Sequence, residues 1–339
     1  MNGHSPAKTA ALSIKLVLLL LVAIGPVFAA ALWLWSDAAP IVAIGAVVGI
    51  ATGIIAGMRA SSLLVAYFAV IGAVAVAFGA HPVVGAGIVA LNAATLAFLH
   101  TRGYGLAMMT VAIFMPYLMP GLSTRSGEAP WLTNHWVIAG LSVVVLGVAG
   151  LWGAFLATRV TGRMHIKIPK TPIPASAAVI FGLTIGVLTT AYTWAALEWF
   201  PDTQWFWVLL TTYIMSRPVG RLLTDRIRDR IVGTIVGGIL AAGVFSIGLP
   251  AAAMSAVGLV LIAVAMTIFV EKRPYWVYAS VLTPGIILFD SAGKNALVID
   301  AERIGFTVAG ITLAVIASVV TLKTTRSIEL RRSAPSPAG

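Results

Sequence analysis

No cysteine occurs among the 339 residues, which excludes disulfides, thiolate catalysis and cysteine-held metals. Charge is scarce: 10% of residues carry it, where a soluble domain has about a quarter. Acids are scarcer still, with eleven Asp and Glu against 22 Lys and Arg. Phosphate loops, nucleophile elbows and paired-histidine zinc motifs are all missing. His81, His100 and His135 are dispersed, without metal-ligand spacing. An enzyme is therefore not expected, nor a cofactor, nor a metal. No polar stretch is long enough to form a cytosolic domain. Strict apolar–polar alternation, the mark of a membrane β-barrel, is absent as well.

What the chain has instead is apolar residues, 60% of the total, with a mean hydropathy of +1.00. Runs of about 20 apolar residues recur from end to end, and each reads as a membrane helix. Their punctuation places spans near 14–36, 38–58, 61–79, 83–101, 104–121 and 135–158. A second six fall near 175–200, 203–216, 230–249, 251–270, 274–289 and 302–322. The expected fold is an all-α membrane protein of about twelve helices. The first span begins like a signal peptide, but its apolar run continues through Trp35, so cleavage is not expected.

Two parallel six-helix repeats are expected, since six is an even number of crossings. LHTRGYGLAMMTVAIFMP (99–116) and FVEKRPYWVYASVLTPG (269–285) occupy matching places, each with a basic mouth and an internal proline. The division is a tail at 1–13, a degenerate first repeat at 14–160, a basic linker at 161–173, a second repeat at 174–325 and a tail at 326–339. With both termini cytoplasmic, 19 of the 22 cations fall on the cytoplasmic side, leaving only Arg125, Lys294 and Arg303 outside. That asymmetry is what the positive-inside rule requires of a cell (inner or plasma) membrane protein. The net charge of +11 is thus topological, and nucleic acid is not an expected partner.

TDRIRDRIVGTIVGG (224–238) places three arginines and two aspartates in six positions, against the start of a span. On a helix Arg226, Arg230, Gly233, Thr234 and Gly237 share one face by their spacing of three and four. Gly233 and Gly237 let a neighbouring helix approach closely. The preceding span, 201–216, reaches only about 24 Å as helix, short of a hydrocarbon core about 30 Å thick. The break SRPVG then leaves Arg217 and Arg221 at an expected aqueous vestibule that gathers anions. The alternative is an ordinary basic anchor at the membrane interface.

The basic turn leading into RIVGTIVGGILA, after the short helix WFWVLLTTYIMSRP, resembles the fusaric-acid-resistance-like family, which includes bacterial aromatic acid exporters. YWVYASVLTPGIILFD and AERIGFTVAGITLAVIAS resemble that family's last two helices. The resemblance covers about 174–325, with the first half as a faded copy. It implies movement of organic anions through six-helix units, with Arg226, Arg230, Gly233, Thr234 and Gly237 carrying the motif. The large cytosolic domains of family members have no counterpart here.

The expected substrate-binding set is Arg221, Arg226, Arg230, Thr234, Arg273, Tyr275, Pro116 and Pro284. Pro116 and Pro284 are expected to interrupt the fifth helix of each half, freeing backbone groups along a path; a packing kink is the other reading. Tyr275, Trp276 and Tyr278 suit stacking on an aromatic solute or a place in the interfacial belt. Gly45, Gly49, Gly53 and Gly57 form a packing zipper, and Asn92 is expected to hydrogen-bond across helices. Asp290 and Glu302 are the nearest candidates for proton coupling, or else helix caps and anchors. The reading is efflux of small organic anions, aromatic carboxylates among them, by a secondary or channel-like mechanism. A passive anion channel and a non-transporting scaffold remain alternatives. Expected partners are the lipid bilayer, the anion, and further copies or efflux subunits.

Overall fold

The computed structural model describes residues 18, 21–22, 24–27, 29, 39–119, 134–163, 170–216, 224–270, 273–290 and 296–333. Within them the side chains of 39–40, 224–226, 251–252, 263, 266, 269–270, 289–290, 296–304 and 329–333 fall outside the description. The described residues are helical with short connections, and no strand occurs among them. The helices are α1 (Ala39–Phe78), α2 (Pro82–Thr101), α3 (Gly105–Phe114), α4 (His135–Arg163) and α5 (Ala175–Trp199). They continue as α6 (Phe206–Met215), α7 (Thr224–Ser246), α8 (Ala251–Val270), α9 (Tyr275–Asp290) and α10 (Ala296–Ser333). Six described helices are long and apolar enough to cross a membrane, and four apolar helices are shorter. The protein is therefore a multi-pass helical membrane protein.

α1 is a folded hairpin. The hydroxyls of Thr52 and Ser61 lie 2.7 Å apart, whereas nine residues of straight helix span about 13.5 Å. The reversal is at Gly57, whose φ of 75° and ψ of 170° suit glycine alone. The two arms match the separate spans expected at 38–58 and 61–79. Gly57 itself corrects the expected zipper: it is the turn, and a Cβ there would meet nothing within 4 Å. Gly45, Gly49 and Gly53 do pack, against Leu146, Gly150 and Ala154 of α4 in parallel register. The second arm returns along α4, with Val65 against Gly150 and Ala69 against Gly147.

The second half is also zipped by small residues. Gly233 and Gly237 of α7 lie on Ala279, Ser280 and Thr283 of α9, again in parallel register. Gly310 of α10 lies on Val208 and Thr211 of α6, and the Thr212 hydroxyl donates to the Gly310 carbonyl at 3.1 Å. α9 packs on both α7 and α8, as α3 packs on α1 and α2; α10 packs on α6, as α4 packs on α1. The halves meet where α2 lies on α5 and α3 lies on α6. There Gly182 approaches Ala93 and Ala97, and the Tyr117 and Phe206 rings are 4.4 Å apart.

Three boundaries differ from expectation. α9 runs unbroken through Pro284, while α3 gives way to a tighter 3-10 turn at Met115–Leu118 around Pro116. The two prolines are therefore not matched breaks: α7 approaches α9 so closely at Gly237 that the Pro284 ring is held in place, a Cβ there meeting its Cδ at 2.8 Å. α10 extends to Ser333, so the expected tail is helical over 326–333; RSIELRR is rich in helix-favouring side chains. α6 is shorter than expected, about 15 Å at 1.5 Å per residue, and all its residues but Ile214 are buried. A helix apolar on every side belongs in the interior, and α6 is the central strut of the molecule.

Candidate functional site

α7 begins at Thr224, with an aspartate in its first turn in the sequence TDRIRDR before the apolar run. Its Gly233–Gly237 face must turn toward α9, since only there can backbones approach so closely. That rotation fixes Arg230, one turn before Gly233, on the interior side. Arg228 falls on the opposite side and is exposed. Arg230 is 0% exposed.

The Arg230 guanidinium has its carbon 5.8 Å from the centroid of the Trp207 ring in α6. Tyr278 of α9 lies within electrostatic reach. Among the described residues, none of the three guanidinium nitrogens has a hydrogen-bond partner. Trp207 is itself buried and donates its indole N–H to the Thr307 hydroxyl of α10 at 2.7 Å. Arg230 is thus enclosed by α6, α7 and α9.

Two threonines continue the seam. Some buried threonines, among them Thr52, Thr189, Thr193 and Thr212, bond back to the carbonyl four residues before. Thr234 and Thr283 are buried and their hydroxyls have no partner. Thr234 is one turn beyond Arg230, and Thr283 lies against Gly237. Five N–H donors and two hydroxyls are therefore unmet along one helix–helix seam. A buried charge without a counter-charge is strongly unfavourable. The ring face of Trp207 offsets part of that, and a carboxylate offering paired acceptors answers the rest.

The other expected residues are scattered around this seam. Tyr275 is half-buried with its ring 5.7 Å from that of Tyr278, while Arg273 and Trp276 are exposed at the start of α9. Pro116 is buried beside α6, away from α9. Arg221 lies outside the described residues, and so do the side chains of Arg226, Asp290 and Glu302. Asn92 is held across helices by the Tyr67 hydroxyl, which donates to its Oδ1 at 3.0 Å. Sequence reading missed Trp207, Thr283 and Thr307. Nothing in the one-dimensional pattern distinguishes Thr283 from its self-bonded neighbours.

Residues 190–317 match the family model described as fusaric acid resistance protein-like. No curated protein matches the chain, and no solved structure does. The matched stretch holds Trp207, Arg230, Thr234, Thr283 and Thr307, so the enclosed guanidinium lies inside the part of the chain similar to that family. Over residues 190–317 this membrane protein is similar to the fusaric acid resistance protein-like family.

Proposed function

We propose that the protein exports small organic anions, aromatic carboxylates among them, and that Arg230 is the charge that holds them. The supporting observation is the wholly buried guanidinium with no hydrogen-bond partner on any nitrogen. Interior charges in membrane helices are rare, and by default they mark a solute path. Thr234 and Thr283 supply neutral hydrogen bonds beside it. The family description, with its resistance to an organic acid, favours transport rather than a structural bundle. Arg221 and Arg226, which precede Arg230 in the sequence, and Arg273, exposed just before α9, gather the anion before it enters.

In this reading the chain is two six-helix repeats in a cell membrane with both termini cytoplasmic. The repeated partner choice of α3 and α9, and of α4 and α10, supports that arrangement. So does the close packing of small residues in both halves. No arginine lies in the second arm of α1 beyond Arg59, where the buried residues include Val65. The second half therefore carries the solute site and the first half buttresses it.

The test is efflux of labelled benzoate, and separately of malate, from proteoliposomes loaded with each. Arg230→Gln is expected to abolish export of the transported acid while the protein remains in the membrane. Export at the wild-type rate would refute the assignment. Uphill export on imposing a proton gradient distinguishes a pump from a passive channel.

A further inference from the structure

An anion cannot reach Arg230 in the conformation described, because the guanidinium is fully covered. Something over it has to move. Trp207 presents its ring to the guanidinium from across a seam between two bodies of helix. On one side α6 and α10 are joined by the Thr212–Gly310 hydrogen bond and by the seat of Gly310 on Val208 and Thr211. On the other, α7 and α9 are joined through Gly233 and Gly237. The indole is fixed within the first body by its bond to Thr307. Arg230 belongs to the second.

We propose that Trp207 is the gate of the Arg230 site and that Thr307 is the latch holding its indole closed. The purpose of the gate rests on the anion-site reading above; its geometry does not. With no anion present, the Trp207 ring face is the guanidinium's cation–π neighbour in the seam. A carboxylate forms charge-assisted, two-pronged hydrogen bonds with the guanidinium, which are stronger than a ring contact. Its arrival therefore favours separation of the α7–α9 body from the α6–α10 body. Loss of the anion lets the guanidinium settle back on the indole. Thr307 matters because a free indole has rotamers that leave Arg230 uncovered, and the bond selects the one that covers it.

The absence of cysteine makes the test clean. Thr234→Cys places a lone thiol on the same buried face, one turn from Arg230, and leaves Arg230 in place. The measurement is its rate of modification by a water-soluble methanethiosulfonate in reconstituted protein. Added to that background, Trp207→Ala and Thr307→Val are each expected to raise the rate at least ten-fold. Thr307→Ser keeps the hydroxyl and is expected to leave the rate unchanged. Trp207→Phe, which keeps a ring but loses the indole N–H, is expected to match Thr307→Val. An unchanged rate in Trp207→Ala would overturn the gate. Acceleration in Trp207→Ala but not in Thr307→Val would overturn the latch alone. Labelling needs no transported solute, so failure of the anion-site reading appears separately, as undiminished efflux in Arg230→Gln.

Discussion

Arg230 brings five N–H donors to a seam where none is answered among the described residues, and the consequences are thermodynamic as well as functional. Removing an uncompensated buried charge in favour of an apolar side chain of similar length is expected to stabilise the empty protein. Arg230→Met should raise stability by about 1–4 kcal/mol, read as a higher Tm in detergent without organic anions. Benzoate should raise the Tm of the wild-type protein and not that of the variant. At a hundred times its Kd it would contribute about 2.7 kcal/mol. An equal benzoate shift in both proteins would place the anion elsewhere. Tyr67 and Asn92 form the contrasting case of a satisfied pair. A double-mutant cycle of Tyr67→Phe and Asn92→Leu is expected to give a coupling of about 0.6 kcal/mol, the average for such bonds in membranes.

At the scale of elements, two helices behave differently from a simple span. α1 reverses at Gly57, where any side chain is strained at a φ of 75°. Gly57→Ala is therefore expected to cost about 1 kcal/mol or more, although open space surrounds the position. Gly49→Leu has the opposite cause and a larger effect, because it drives a side chain into the backbone of Gly150. It should destabilise the first half by at least about 3 kcal/mol, seen as loss of monodisperse protein on purification. Equal tolerance of both substitutions would contradict this packing. α6 is the other departure, half the length of a span and buried almost all round. Its shortness brings Trp207 into range of α7, which a full-length helix ending at the surface would not require.

The whole molecule has one main core shared by the two halves, running from α1 through α3 and α6 to α9. In the proposed reading, solute movement depends on how the α7–α9 body shifts against the rest of that core. The orientation proposed from charge placement is testable with single cysteines in this cysteine-free chain. Arg59→Cys, Arg159→Cys and Lys170→Cys should be labelled by an impermeant thiol reagent only from the cytoplasmic side. His81→Cys and Ile247→Cys should react only from the opposite side. Arg59 and His81 reacting from the same side would contradict the hairpin, since the second arm of α1 would then not cross.

Much of this was legible in the sequence. Apolar runs long enough for a bilayer dictate helices, because unpaired backbone groups cannot be left in lipid. The zipper glycines and Gly233–Gly237 announced close packing through their four-residue spacing, and the same spacing put Arg230 and Thr234 on the packed face. Which glycine turns a hairpin was not legible, because Gly57 continues the spacing of Gly45, Gly49 and Gly53 without a visible change. The fate of Pro284 depended on a neighbour 47 positions away, Gly237, that leaves room for its ring. Only tertiary structure could bring Trp207, Thr307 and Thr283 to Arg230. Local pattern fixes which face of a helix is small or apolar, but whether a buried donor finds an acceptor depends on atoms that the chain delivers from distant segments.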